Sequence, residues 1–210
     1  MERRTILTAA LCLGTSFLLC GQAGPFAAGP PPECFGVTYD ATNPTHFLGT
    51  EGNDTLVGTA AHEVFFGLAG DDVIAGGGGN DRICGHNGDD DLGGGAGDDF
   101  IDGGNGDDEI QGAAGWDTLY GNNGHDDIRG GDDDDIIDGG NGDDQIGGAA
   151  GNDVIDGGNG NDEIQGASGS DTIFGGQGDD QIRGGPGNDD CDGGPGTDTS
   201  DTCETTANIP

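Results

Sequence analysis

Basic residues are nearly absent. The 210-residue chain has 5 Lys+Arg against 41 Asp+Glu, a formal net charge of −36. Such a chain repels phosphate backbones and anionic bilayers, so nucleic acid and acidic membranes are excluded as direct partners and a cationic one is favoured. Apolar residues are also scarce. They make up 30% of the chain, with 8 Phe, 2 Tyr and 1 Trp, too few for an ordinary core at this length. Beyond the N-terminal stretch, no segment is apolar enough to span a bilayer. Catalytic signatures are missing: there is no nucleophile–base pair, no His-based zinc motif and no phosphate loop in a strand–helix setting, so no enzymatic activity is expected. Glycine, in contrast, is abundant at 49 residues. That would ordinarily mean disorder, because glycine loses the most entropy on folding and buries no side chain. Something besides apolar burial must supply the folding free energy.

The N-terminal stretch reads as an export leader. Arg3 and Arg4 give a positive start, Ile6 to Leu19 is an apolar run too short to cross a bilayer, and Gly21-Gln22-Ala23 resembles a cleavage site. Residues 1–23 are therefore expected to be a signal peptide and the protein to be secreted, with association to the cell surface as a variant of that reading. Four cysteines then remain: Cys34, Cys84, Cys191 and Cys203. An even count in an exported chain suggests two disulfides. Three pairings are possible. Cys191 with Cys203 is favoured because both lie at the C-terminal end, which leaves Cys34 with Cys84.

From Gly49 to Asp201 the chain divides into 17 consecutive blocks of nine, with no insertion or deletion. The first position is Gly in all 17. The fourth is Gly in 15, the exceptions being Ala61 and Asp133. The sixth is Asp in 16, with Glu63 the exception, and the eighth is Leu, Ile or Phe in 15, failing at Cys191 and Ser200. Residues 24–48 fall outside the register and read as a linker and N-terminal cap; residues 202–210 read as a polar tail.

The block dictates its own conformation. Positions seven to nine place one apolar residue between two mostly polar ones, a minimal strand with its middle side chain turned inward. Positions one to six hold glycines three apart and an acid, a turn whose backbone oxygens can crowd one point. Oxygen-only, multidentate ligation suits Ca2+ rather than Mg2+ or zinc. One such turn cannot complete six to eight ligands, but two stacked turns can. Strand and turn then alternate sides, and one coil takes 18 residues. Asn87, Asn105, Asn123, Asn141 and Asn159, spaced by 18 at position three, support that period.

These blocks resemble GGxGxDxUx, the RTX or haemolysin-type calcium-binding nonapeptide. The resemblance spans residues 49–201. It implies an all-β fold, a right-handed parallel β-roll of about eight coils. It also implies Ca2+ held by turn carbonyls and by the sixth-position carboxylates: Asp54, Asp72, Asp81, Asp90, Asp99, Asp108, Asp117, Asp126, Asp135, Asp144, Asp153, Asp162, Asp171, Asp180, Asp189 and Asp198. Glu63 with Ala61 is expected to spoil one turn and Asp133 to weaken another. About a dozen ions would offset most of the negative charge, so folding is expected to depend on calcium.

Two further expectations concern the surface. Position-five acids such as Asp89 and Asp107 read as solvated, His46, His62, His86 and His125 as isolated surface histidines, and Trp116 as an exposed aromatic. Even-numbered blocks carry Val64, Phe66, Phe100, Tyr120, Ile136, Val154 and Phe174 beside the inward residue, where odd-numbered blocks carry polar ones. That predicts one apolar sheet face, fit either for self-association or a protein or cell-surface partner, or for cover by residues 24–48. The function expected is that of a structural or interaction module. The alternatives are a surface adhesin or matrix component, or an RTX remnant of an exported hydrolase or toxin lacking its effector domain.

Overall fold

The computed structural model describes residues 44–203 and 205–207, and every regular element among them is a strand. In chain order these are β1 (His46–Leu48), β2 (Thr55–Val57), β3 (Val64–Ala69), β4 (Val73–Gly78), β5 (Arg82–Asn87) and β6 (Asp91–Ala96). There follow β7 (Phe100–Asn105), β8 (Glu109–Ala114), β9 (Thr118–Asn123), β10 (Asp127–Asp132), β11 (Ile136–Asn141), β12 (Gln145–Ala150) and β13 (Val154–Asn159). The last are β14 (Glu163–Ser168), β15 (Thr172–Gln177), β16 (Gln181–Arg183), β17 (Asp190–Asp192), β18 (Thr199–Asp201) and β19 (Thr205–Ala207).

Odd-numbered strands form a ten-stranded parallel sheet and even-numbered strands a nine-stranded one. Each repeat strand pairs with the strands one coil before and after it, 18 residues away: Ile110 with Ile128, Ile137 with Ile155. The result is a two-sheet parallel solenoid of about nine coils. It exceeds the eight expected because His46–Leu48 adds a strand before the first block and Thr205–Ala207 adds one after the last.

Most strands are six residues long, not three. They run from position seven through position three of the next block, as in Val64–Ala69. Pairing continues past position two although the chain there takes a positive φ, as at Ala113 (85°) and Ala149 (81°). A residue in that conformation bends the ribbon without ending its ladder.

The core is a double file of position-eight side chains. Phe65, Ile74, Ile83, Leu92, Ile101 and their counterparts as far as Ile182 and Cys191 are buried between the sheets. Each buried aliphatic contributes roughly 1.5–3 kcal/mol. The ends are closed differently. Phe47 stacks on Phe65, centroids 4.7 Å apart, beside the half-buried Leu56. At the far end the Cys191–Cys203 disulfide takes the place of an aliphatic pair, with Cα atoms 6.1 Å apart. The expected Cys34–Cys84 pairing involves Cys34, which lies outside the described residues, as do the leader and most of the segment 24–48.

From β6 onward the nine-stranded sheet shows water a polar face, as its sequence requires, whereas Val57 and Val73 are exposed on β2 and β4 at its start. Arg129 pairs with Asp127 (2.8 Å) and Glu109 (3.4 Å), and Arg183 with Glu163 (2.7 Å), all exposed and energetically minor. The ten-stranded sheet is not the continuous apolar stripe its block pattern suggested. Phe66, Phe100, Tyr120, Ile136, Val154 and Phe174 do lie on its outer face, but Asp102, Asp138 and Asp156 share position nine with Phe66, Cys84, Tyr120 and Phe174. A pattern that counts apolar residues at positions seven and nine together hides the acids between them.

Candidate metal centre

The sixth-position carboxylates build two ladders, one along each flank of the roll. In each, Oδ1 accepts the backbone N–H of the sixth residue one coil earlier. One ladder runs from Asp54 through Asp72, Asp90, Asp108, Asp126, Asp144, Asp162 and Asp180 to Asp198, with N···O distances of 2.7–3.0 Å. The other runs from Glu63 through Asp81, Asp99, Asp117, Asp135, Asp153 and Asp171 to Asp189. Neither ladder is broken. Asp133 takes the positive φ (75°) that glycine serves elsewhere at position four, and its turn keeps Asp135 in place. An aspartate tolerates that conformation better than most residues, so the weakening expected there is absent from the ladder geometry.

The second oxygen is the chemically telling one. Oδ2 is buried without a hydrogen-bond partner in Asp72, Asp81, Asp90, Asp99, Asp108, Asp117, Asp126, Asp135, Asp144, Asp153, Asp162, Asp171, Asp180 and Asp198. Leaving one such atom unsatisfied costs about 1–3 kcal/mol, and these form two continuous rows. The invariant first glycine makes the space they face. A Cβ built on Gly139 would lie 2.6 Å from Asp144 Oδ2 and 2.7 Å from the Gly157 carbonyl oxygen of the next coil. Gly175 repeats this with Asp180 Oδ2 (2.5 Å) and the Gly193 carbonyl (2.7 Å). The first glycine is thus demanded by space, whereas positive φ is taken at positions two and four, as at Gly140 (103°) and Gly142 (144°).

Electrostatics follow from that crowding. Burial is the main cause that raises Asp108 and Asp162 from 3.8 to about 8, and Asp117, Asp126 and Asp135 to about 7. The ladder hydrogen bond opposes the rise, and neighbouring carboxylates add to it. Two acceptor oxygens facing one another need a proton or a cation between them. The donors are all oxygen and come one carboxylate per turn. Among the described residues no three His, Cys, Asp or Glu side chains converge on one point, so an ion here would be completed by backbone carbonyls. That is a donor set suited to Ca2+.

The first rung of each ladder is different, and the sequence reading missed it. Asp54 Oδ2 accepts from Thr50 N–H (2.5 Å) and Thr50 Oγ1 (2.8 Å). Glu63 accepts from Thr59 N–H (3.3 Å) and from Thr59 Oγ1. Thr50 and Thr59 are the two threonines at position two of the repeat, a signal that was available and not used. Position five was also underread. Its side chains form an exposed ladder of opposite direction, in which the later coil's N–H donates to the earlier side chain: Asp89 N–H to Asp71, Asp107 N–H to Asp89, Asn161 N–H to Asp143. His62 and His125 belong to it, each Nδ1 accepting an N–H, from Asn80 (2.6 Å) and Asp143 (2.8 Å). Those two are not isolated histidines. Trp116, at the same position, is 65% exposed as expected.

A parallel β-solenoid lined by stacked, unsatisfied carboxylates defines a class of protein, the calcium-type β-rolls. The profile of the RTX calcium-binding nonapeptide repeat matches this chain in overlapping copies at residues 48–62, 57–92, 93–128, 111–146, 120–155, 129–164, 148–173 and 165–199. The chain belongs to that family, and its repeats are calcium-binding repeats. No curated protein matches the chain.

Proposed function

We propose that this is a secreted protein that folds on binding Ca2+ and serves as a structural or interaction module. The observation that carries the reading is the two rows of buried, unpartnered Oδ2 atoms. Asp72 and the later ladder aspartates, Asp189 included, would hold the ions together with turn carbonyls such as those of Gly157 and Gly193. The bound cation supplies positive charge between coils and nothing more. Asp54 is set apart from this group because Thr50 already satisfies its carboxylate.

The chain's own residues do the remaining work. Ladder hydrogen bonds between coils fix each carboxylate's rotamer as the roll forms. The first glycines keep the space open. The position-eight file joins the two sheets. About a dozen divalent ions would bring roughly +24 against the formal −36. Extracellular calcium modules bind at about 10⁻⁴–10⁻³ M, so the chain would stay unrolled until exported. Far-UV circular dichroism in EGTA and then in millimolar CaCl2 tests this, with Trp116 fluorescence and sedimentation followed in parallel. A full β signal and compact sedimentation in EGTA at neutral pH would end the proposal.

A further inference from the structure

The two sheets offer an internal comparison. Their outer position-nine side chains have the same backbone setting. On the nine-stranded sheet Ala75, Gln111, Arg129, Gln165 and Arg183 are exposed. On the ten-stranded sheet Phe66 is 7% exposed, Cys84 1% and Asp156 5%, while Asp102, Tyr120, Asp138 and Phe174 are half-buried. In-sheet neighbours account for part of the contrast, since Val64, Leu68 and His86 pack beside Phe66 and Cys84; Asp156, whose ladder partners are Asp138 and Phe174, has no such cluster beside it among the described residues. Desolvation on this face also raises Asp102 and Asp138 to about 6 and Asp156 to about 7.

Cys84 sits on this face, on the third of its ten strands, and is disulfide-bonded. Its partner is neither Cys191 nor Cys203, which bond to each other. Cys12 and Cys20 fall in the segment read as a leader, which leaves Cys34. The chain outside the described residues also ends at the right place. It enters the roll at β1, the edge strand of this same sheet. β5, which carries Cys84, is two strands further, about 10 Å at the usual strand spacing. The 12 residues from Cys34 to His46 reach that easily. Residues 24–33 contain Pro25 and Pro30-Pro31-Pro32. Extended at about 3.1 Å per residue they reach roughly 30 Å more, whereas β13, which carries Asp156, lies only about 19 Å beyond β5. Phe26, Phe35, Val37 and Tyr39 supply apolar side chains along the way.

We infer that residues 24–43 form a strap that lies along the outer face of the ten-stranded sheet, pinned at β5 by a Cys34–Cys84 disulfide. The occupant of this face is the chain's own N-terminal segment, not a second copy. The strap shields Phe66, Tyr120 and the acids of position nine, and it blocks lateral addition to the one face of the roll that carries aromatic side chains.

The test uses the full secreted chain in saturating calcium. Peptide mapping without reductant is expected to give one cross-linked species joining Cys34 and Cys84. Hydroxyl-radical footprinting is expected to show Tyr120 and Phe174 protected, independently of protein concentration. Cys34→Ser combined with Phe35→Ser and Val37→Ser should leave the calcium-loaded circular dichroism unchanged and raise labelling of Tyr120 and Phe174 several-fold. Unchanged labelling in that variant overturns the inference, as does the absence of the cross-link. Protection that grows with protein concentration would instead assign the face to a second copy. Folding without calcium would refute the proposed function and leave this inference standing.

Discussion

Asp144→Asn separates the ladder from the ion. The asparagine keeps an Oδ1 to accept the Asp126 N–H, now bonded at 2.9 Å, but places an NH2 group where Oδ2 stood. That group faces the Gly157 carbonyl, which shares with Oδ2 the space beside Gly139. Without calcium, two opposed acceptors become a donor and an acceptor, and removing the unsatisfied group recovers about 1–3 kcal/mol. With calcium, one anionic ligand is lost. A site of Kd about 10⁻⁴–10⁻³ M contributes about 1.4–2.7 kcal/mol at about 10 mM ion by mass action, and most of that disappears. The substitution should therefore change sign with conditions. In CaCl2 the urea midpoint falls. In EGTA, with folding driven by trimethylamine N-oxide, the variant folds at a lower osmolyte concentration than the parent. Equilibrium dialysis should show about one ion fewer. Asp144→Ala is the control: it orphans the Asp126 N–H and should destabilise under both conditions. If Asp144→Asn destabilises equally with and without calcium, Oδ2 is not an ion ligand and the reasoning fails.

Gly139→Ala drives a methyl between Asp144 Oδ2 and the Gly157 carbonyl and should lower calcium affinity and the folded yield together, whereas Gly147→Ala, with nothing within 4 Å, should behave as the parent in a calcium titration. Ile128→Ala empties a core site that is 0% exposed and should cost about 2–5 kcal/mol in calcium-loaded urea melts; Ile136→Ala, 40% exposed on the outer face, should cost under about 1 kcal/mol. The metal-free chain should respond to acid. In the roll burial raises Asp144 and Asp153 from 3.8 to about 6 and Asp108 and Asp162 to about 8, so their protonation favours the rolled state; that contribution is complete below about pH 3.8 and is lost as pH rises through about 6–8. Acidifying an EGTA-treated sample from about pH 8 towards 4 should thus increase β signal in circular dichroism, and calcium affinity should fall over the same window; a signal that declines with acid contradicts the ladder geometry.

The fold was legible because one residue type was repeated for one physical reason at each position. An inward Ile or Leu every nine residues can only alternate between two facing sheets, and the position-three asparagines show the 18-residue coil directly. Their side chains do form a ladder, Asn105 to Asn87 and Asn123 to Asn105, both at 3.0 Å. The candidate ligand atoms were legible as residues but not as geometry. Nothing in a glycine–aspartate pattern says that Oδ1 is committed to the preceding coil and only Oδ2 is left for an ion. The acids on the ten-stranded sheet were illegible for a related reason. Asp102, Asp138 and Asp156 fall in the same block position as Gln111 and Gln165 but on the other sheet, and what the sequence does not show is their burial there.

The direction of the ladders explains the exceptions at the start of the repeat. Each carboxylate is positioned by the backbone N–H of the coil before it, so every folded coil fixes the rotamer that the following coil needs. A stack with that polarity lacks a donor only at its N-terminal end. Asp54 and Glu63 are the first members of their ladders, and it is there that position two supplies Thr50 and Thr59: Thr50 donates both its bonds to Asp54 Oδ2, the oxygen that later rungs leave without a partner, and Thr59 donates one to each oxygen of Glu63. The substitution of Glu for Asp at position 63 fits the same logic. Its longer side chain still reaches Thr59, and its N–H still positions Asp81 (2.8 Å). The turn that reads in sequence as spoiled is the first rung of the second ladder, hydrogen-bonded to Thr59 on one side and to Asp81 on the other, in the way a solenoid's terminal repeats depart from its consensus.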